Sequence, residues 1–206
     1  MVRQPITQPP MSFDEFLAWY PAEGGRYELI RGEIVEVRPV GAHELIAAYL
    51  SEELALEIRR LGLPYVVSRN TLVRPKRAYE GALPDIIVLN RQALADDPDW
   101  SHSSTISRGE SARLVIEIVS TNWQDDYAYK VADYEQLGIP EYWIINYQGL
   151  GGVRYIGSPK QPTITIYTLV NEEYQGSLYR LSDPLRSAQF PDLSLTLDQI
   201  IAASGR

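Results

Sequence analysis

The sequence predicts an α/β fold in which helices flank a mixed β-sheet, with an N-terminal hairpin and antiparallel strands near the C-terminal end. Residues 114–120 are an apolar, β-branched run of strand length, which is typical of a central strand covered on both faces. Strand, helix and strand patterns follow one another across residues 114–146. This order favours two parallel strands joined by a right-handed crossover.

The N-terminal half supplies the outer elements of this fold. Residues 1–11 are polar and rich in proline, so we expect a flexible tail before a single domain at 12–206. Capping, turn and periodicity signals then predict the elements that follow. In order, these are a short helix capped by Ser12 and Glu15, a hairpin around Arg31-Gly32, an amphipathic helix over residues 42–61 ended by Gly62, paired strands at residues 65–67 and 71–73, and a strand at residues 84–89.

The C-terminal half is organised around the central strand. Residues 90–111 are polar and rich in turn formers, so we expect a surface loop with one helical turn. Apolar spacing predicts the later helices, and alternation predicts the later strands. The predicted elements are a helix over residues 123–137 ended by Gly138, a strand at residues 141–146, an antiparallel meander of residues 154–156, 163–169 and 172–178, and a last helix over Leu197–Ala203.

Composition limits the chemistry. The 206 residues carry a net charge of −8, which argues against a protein that coats nucleic acid by charge alone. The chain has no cysteine and only two histidines, so any metal is expected to be oxygen-ligated Mg²⁺ or Mn²⁺. No apolar run approaches the roughly 20 residues of a membrane helix, and residues 1–10 lack a signal-peptide core. We therefore expect a cytoplasmic protein without membrane contact.

Three residues form a candidate site. Glu117 lies within the apolar central strand, where an ionised carboxylate needs compensation, and Asp85 opens the strand at 84–89. If these strands are neighbours, the carboxylates and the Ile118 carbonyl can share a divalent cation. Lys130, on the helix after the central strand, can extend its ammonium to the same place. Such a set suits metal-assisted phosphodiester hydrolysis.

These residues resemble those of a known family. Pro84-Asp85, Glu117 to Ser120 and Lys130, with a Tyr27 to Glu33 segment like the family's, resemble the bacterial restriction-endonuclease family of the PD-(D/E)XK nuclease superfamily. The resemblance implies a restriction-endonuclease-like fold, Mg²⁺-dependent cleavage of DNA and a homodimer. The superfamily lysine normally stands two residues after the acid, where this chain has Val119. Lys130 matches the position of a lysine on the next helix that replaces it.

Further residues are candidates for accessory roles. Glu44 and His43 open the first long helix, where such nucleases often carry an acid near the metal. Solvent exposure of Glu44 and capping by His43 are the structural alternatives. Four cations could contact DNA, or could belong to a solvated hairpin. They are Arg69, Arg74, Lys76 and Arg77.

Each site residue also has a purely structural interpretation. Asp85 could end a turn, Glu117 could be a neutral, hydrogen-bonded core residue, and Lys130 could pair only with Asp126 four residues earlier. The alternative to an endodeoxyribonuclease is then a catalytically weak or inactive nuclease fold that serves as a binding or dimerisation module. A nucleotide-binding enzyme is disfavoured, since no glycine-rich phosphate loop follows a strand.

Overall fold

The structure is a computed structural model that describes residues 9–21 and 24–205. The α-helices are α1 (Phe13–Trp19), α2 (Gly41–Leu61), α3 (Trp100–Ser103), α4 (Lys130–Leu137), α5 (Val153–Ile156) and α6 (Leu197–Ala203). The strands are β1 (Tyr27–Ile30), β2 (Glu33–Glu36), β3 (Tyr65–Ser68), β4 (Leu72–Val73), β5 (Ile86–Asn90), β6 (Thr105–Ile106), β7 (Ala112–Ile118), β8 (Glu141–Asn146), β9 (Thr163–Val170) and β10 (Glu173–Tyr179). Most of the predicted tail, residues 1–8, lies outside the described residues.

A six-stranded mixed sheet has the order β10-β9-β8-β7-β5-β3. Its neighbours are antiparallel except for β7 and β8, which pair in parallel. The parallel pair is the one predicted from the strand, helix and strand order. The predicted α/β fold with a mixed, helix-flanked sheet is therefore confirmed.

Both faces of the sheet are covered, which explains the apolar run of β7. On one face Ile116 packs in a cluster with residues of α2 and α6 such as Leu50 and Ile200. On the other face Val115 packs in a cluster with Tyr134 of α4. Because successive side chains of a strand point to opposite faces, the apolar residues of β7 pack alternately into the two clusters. Among the described residues, no helix is both long and apolar enough to cross a membrane.

The N-terminal elements form a layer beside the sheet. Ser12 and Glu15 make the predicted capping box, in which the Ser12 N–H donates to Glu15 Oε2 at 2.7 Å. The hairpin of β1 and β2 turns at Arg31 and Gly32, both with positive φ, as a tight two-residue turn requires. Met11 already contacts this hairpin, since its N–H donates to Gly32 O at 3.1 Å.

The predicted pairing of residues 65–67 with residues 71–73 is wrong. β3 pairs antiparallel with β5, whereas β4 pairs in parallel with β6. Leu72 packs in a separate cluster with Phe13 and Leu29 of the N-terminal layer. The apolar pattern correctly predicted two strands. Which strand each one pairs with depends on the part of the core in which its side chains are buried.

Two other expectations need correction. Residues 90–111 are not simply a surface loop, because they contain β6 and α3 and are fixed by the buried Asp97, which accepts hydrogen bonds from the Ser107 and Arg108 N–H groups at 3.1 Å. Residues 154–156 belong to α5 and not to a strand, and Ile156 is fully buried there. In both segments the burial of a few side chains overrides the local pattern.

Candidate active site

The strand register brings the two predicted carboxylates together. Ile86 of β5 pairs with Ile116 of β7, so the same antiparallel register places Asp85 opposite Glu117. Residues opposite each other in an antiparallel pair lie on the same face of a sheet. Both side chains are buried, Asp85 at 5% exposure and Glu117 at 3%. The predicted convergence of these acids is what the structure shows.

Asp85 is held in place by donors. Its Oδ2 accepts a hydrogen bond from the Ile118 N–H at 2.8 Å and lies 3.1 Å from His43 Nε2 of α2. Arg26 Nη2 approaches Oδ1 to 3.8 Å. Burial alone would raise the pKa of Asp85, but its hydrogen bond and charge interaction with His43 and the Ile118 N–H outweigh burial and lower that pKa. Asp85 is therefore held as a carboxylate.

His43 links Asp85 to the central strand. Its Nε2 lies 3.1 Å from Ile118 O as well as from Asp85 Oδ2. Both neighbours are acceptors, so Nε2 must carry the proton. The other ring nitrogen, Nδ1, is buried and has no hydrogen-bond partner among the described residues. His43 thus touches both Asp85 and the carbonyl predicted to bind a metal.

Glu117 is held by two residues of helix α4. Its Oε1 accepts a hydrogen bond from the Tyr134 hydroxyl at 2.8 Å and lies 3.0 Å from Lys130 Nζ. Burial raises the pKa of Glu117 well above its ordinary value; Lys130 opposes this effect, whereas the charge of Asp85 adds to it. The charge repulsion between the two acids is the kind of interaction that a bound cation relieves.

Lys130 lies among three carboxylates. Its Nζ is 3.0 Å from Glu117 Oε1, 3.0 Å from Glu28 Oε1 and 3.6 Å from Asp126 Oδ1. Burial would lower the pKa of Lys130, but the charges of Glu117, Glu28 and Asp126 outweigh burial and raise that pKa well above its ordinary value. The ammonium therefore carries its charge throughout the neutral range. Lys130 contacts both Asp126 and Glu117. The ion pair with Asp126, which was the structural alternative for this lysine, therefore exists together with the predicted contact to Glu117.

A π-helical turn positions this lysine. The predicted helix over residues 123–137 contains a π-helical segment, Asp125–Tyr129, before α4. Such a bulge changes which residues of a helix face a neighbouring sheet and is common at functional sites. Asp126 lies in this turn, and burial raises its pKa to about 7 against the opposing charge of Lys130. The periodicity of the sequence gave no sign of the bulge.

Sequence reasoning missed the contacts of Glu28 and Tyr134, and it foresaw only the pairing of Asp126 with Lys130. Glu28, Asp126 and Tyr134 each contact Lys130 or Glu117. Glu28 comes from β1, far along the chain from its partners. One local signal was available, since Glu28 is an acid in a short apolar strand, just as Glu117 is. The spacing of four residues between Lys130 and Tyr134 also placed the tyrosine on the same side of the helix.

The other candidates lie at different distances from this centre. Glu44 Oε2 accepts from Arg69 Nη2 at 2.6 Å, and Arg69 Nε also donates to Asp85 O at 3.3 Å, so both flank the acids. The remaining cations do not gather around Arg69. Arg74 pairs with Asp14 and Asp99, Arg77 donates to Asp133 through Nε and Nη2 of its guanidinium, and Lys76 is exposed.

The acids open into a cleft of about 490 Å³, which lies within the usual size of a ligand site. Asp85, Glu117 and Lys130 form part of its wall. The arm after β2 forms another side and carries Arg38, whose side chain is 80% exposed. The buried carboxylates and the ammonium can therefore be reached by a ligand from one side.

The oxygen atoms at this site suit a hard cation. Asp85, Glu117 and Ile118 line the same cleft, and two carboxylates and a backbone carbonyl are the kind of oxygen ligands that Mg²⁺ and Mn²⁺ prefer. Across the described part of the chain, no three Asp, Glu or His side chains are gathered closely enough to hold a metal by themselves. A cation here would depend on two carboxylates, a carbonyl and water, which fits the habit of Mg²⁺ to keep several waters.

The mixed sheet and its flanking helices form a restriction-endonuclease-like fold. The family model of Uma2, described as putative restriction endonuclease, matches residues 13–198, and the chain belongs to this family. It is similar in fold to a putative nuclease of the DUF820 group from Anabaena variabilis, with a TM-score of 0.71 and 16% identity over 95% of this chain and 99% of that one. No curated protein matches the sequence.

Proposed function

We propose that the protein is an Mg²⁺- or Mn²⁺-dependent endodeoxyribonuclease that hydrolyses phosphodiester bonds of DNA. The observation that carries this proposal is the arrangement of Asp85 and Glu117 side by side, with Lys130 Nζ 3.0 Å from Glu117, in the wall of an open cleft. Membership of a family of putative restriction endonucleases supports the same activity. The cytoplasmic location and the homodimer expected from the sequence belong to this proposal.

Asp85 and Glu117 would hold the cation together with the Ile118 carbonyl. When bound, such an ion lowers the pKa of a water molecule and neutralises charge on the phosphate. Asp85 is prepared for this role, since the Ile118 N–H and His43 keep it ionised. Glu117 is prepared by Tyr134, whose hydroxyl fixes the orientation of its carboxylate.

Lys130 would act on the negative charge that develops during hydrolysis. The attacking water forms a new P–O bond while the bond to the leaving sugar oxygen breaks, and negative charge builds on the phosphate oxygens. A buried ammonium beside Glu117 can donate a hydrogen bond to the water or to a phosphate oxygen. Because its carboxylate neighbours keep it protonated, Lys130 acts as a donor and not as a base.

The test is nicking of supercoiled DNA and cutting of single-stranded DNA with Mg²⁺, Mn²⁺ or chelator. Asp85→Asn, Glu117→Gln and Lys130→Met remove the proposed charges with little change in volume, and Glu53→Ala on α2 is the control outside the site. We expect metal-dependent cleavage by the wild type and the control, and a loss of about 100-fold or more in the site variants. A wild type that binds neither ion by calorimetry and cuts neither substrate would instead favour the binding or dimerisation module.

A further inference from the structure

Glu28 of the N-terminal hairpin lies at a junction of the site. Its Oε1 accepts a hydrogen bond from the Leu83 N–H at 3.1 Å and lies 3.0 Å from Lys130 Nζ. The side chain is buried, and it lines the cleft with Asp85 and Glu117. One carboxylate thus joins the lysine of α4 to the segment that leads into Asp85.

The hairpin is fixed to that segment by its backbone. The Leu29 N–H donates to Gly81 O and the Gly81 N–H donates to Leu29 O, both at 2.8 Å. Leu29 and Leu83 are also buried in one apolar cluster. The position of Glu28 relative to Asp85 is therefore set by rigid contacts and not by a flexible loop.

Lys130 has more carboxylate neighbours than a single ion pair needs. Its Nζ lies 3.0 to 3.6 Å from carboxylate oxygens of Glu28, Glu117 and Asp126. Glu117 and the lysine alone would form a pair at 3.0 Å, so a further buried carboxylate is a cost that stability does not require. A carboxylate kept at such a cost is typical of a functional site.

We propose that Glu28 is a positioning residue, which holds the Lys130 amine between the hairpin and Glu117 at the wall of the cleft. This inference rests on the proposed nuclease function, since it gives Glu28 a purpose in that reaction. Glu28 is not one of the proposed metal ligands, and it acts through Lys130. The hairpin is then part of the active centre and not only a cover for the sheet.

The test compares Glu28→Gln with Glu33→Gln, an exposed position on the same hairpin. A glutamine oxygen can still accept from the Leu83 N–H, so the change removes mainly the charge. Lys130 is one of the chain's three lysines, with Lys76 and Lys160, which makes its amine easy to follow. Competitive acetylation at one fixed pH, read by mass spectrometry, reports how readily each amine reacts.

In Glu28→Gln we expect the acetylation rate of Lys130 at one fixed pH to rise about tenfold relative to Glu33→Gln, because the contact that holds the amine is weakened. The rates of Lys76 and Lys160 should not change. We also expect kcat for DNA cleavage to fall about 10- to 100-fold with KM little changed, as for other residues that orient a catalytic group.

The two proposals can fail separately. A Lys130 acetylation rate that is the same in Glu28→Gln and in Glu33→Gln overturns the positioning role, even if the wild type cuts DNA. Unchanged kcat in Glu28→Gln, when Lys130→Met is inactive, overturns it as well. A wild type that cuts no DNA overturns the nuclease function, while the Lys130 acetylation rate still decides whether Glu28 holds the amine in place.

Discussion

Asp126 is expected to lower the stability of the protein as pH rises. The side chain is buried, 11% exposed, and lies 3.6 Å from Lys130 Nζ. Burial raises its pKa from 3.8 to about 7, with the charges of Asp85 and Glu28 adding to burial and that of Lys130 opposing it. Because the folded state holds this proton more tightly than the unfolded state, stability is lost as pH rises between the two pKa values and is constant above them.

The magnitude follows from that shift. About three pKa units at about 1.36 kcal/mol each give a cost of roughly 4 kcal/mol at alkaline pH. Asp126→Asn removes the ionisation and leaves Lys130 paired with Glu28 and Glu117. Relative to the wild type, the variant should gain roughly 2 to 3 kcal/mol in free energy of unfolding between about pH 5 and about pH 8.

The assay is urea unfolding followed by tryptophan fluorescence, in chelator, at several pH values. Glu52→Gln, an exposed acid on α2, serves as the control and should track the wild type at every pH. A difference between Asp126→Asn and the wild type that stays constant from about pH 5 to about pH 8 would contradict the assignment of a raised pKa to this buried carboxyl.

Two further substitutions test the packing that supports the site. Tyr134→Phe removes the donor to Glu117 Oε1 and should cost about 1–3 kcal/mol in free energy of unfolding; no loss of stability would show that this hydrogen bond does not support the acid. Gly109→Ala places a Cβ against the backbone of Gly138, 2.5 Å from its carbonyl carbon, and should cost about 1–3 kcal/mol. Gly41→Ala, with open space around it, is the matched control and should be neutral or stabilising, so equal effects at the two glycines would refute the clash.

Most of the sheet could be predicted because its signals are local. The apolar run that became β7 carries its own evidence of burial on both faces. The capping box at Ser12 and the positive φ of Gly62 at the end of α2 are likewise properties of a few neighbouring residues. Such signals predict the structure correctly because the folded core satisfies the same local preferences for helix, strand and turn.

The wrong predictions of strand pairing and of α5 share a different cause. β3 and β4 were recognised as strands, yet their partners are β5 and β6. The segment that became α5 has a β-branched, aromatic pattern, but Ile156 reaches the core from a helix. Pairing and burial of short segments depend on which distant surfaces are available, and a local pattern cannot encode that choice.

For the candidate site, the sequence by itself indicated which carboxylates and which lysine could meet, because Asp85 comes directly before β5, Glu117 lies in β7 and Lys130 begins the helix α4 that follows β7. Only the tertiary structure decided how they are charged. It brought Glu28 from the N-terminal hairpin against Lys130, and it paired Arg77 with Asp133 instead of leaving it beside the acids. Charge interactions depend on distance and burial in space, and neither quantity can be calculated from the order of residues along a chain.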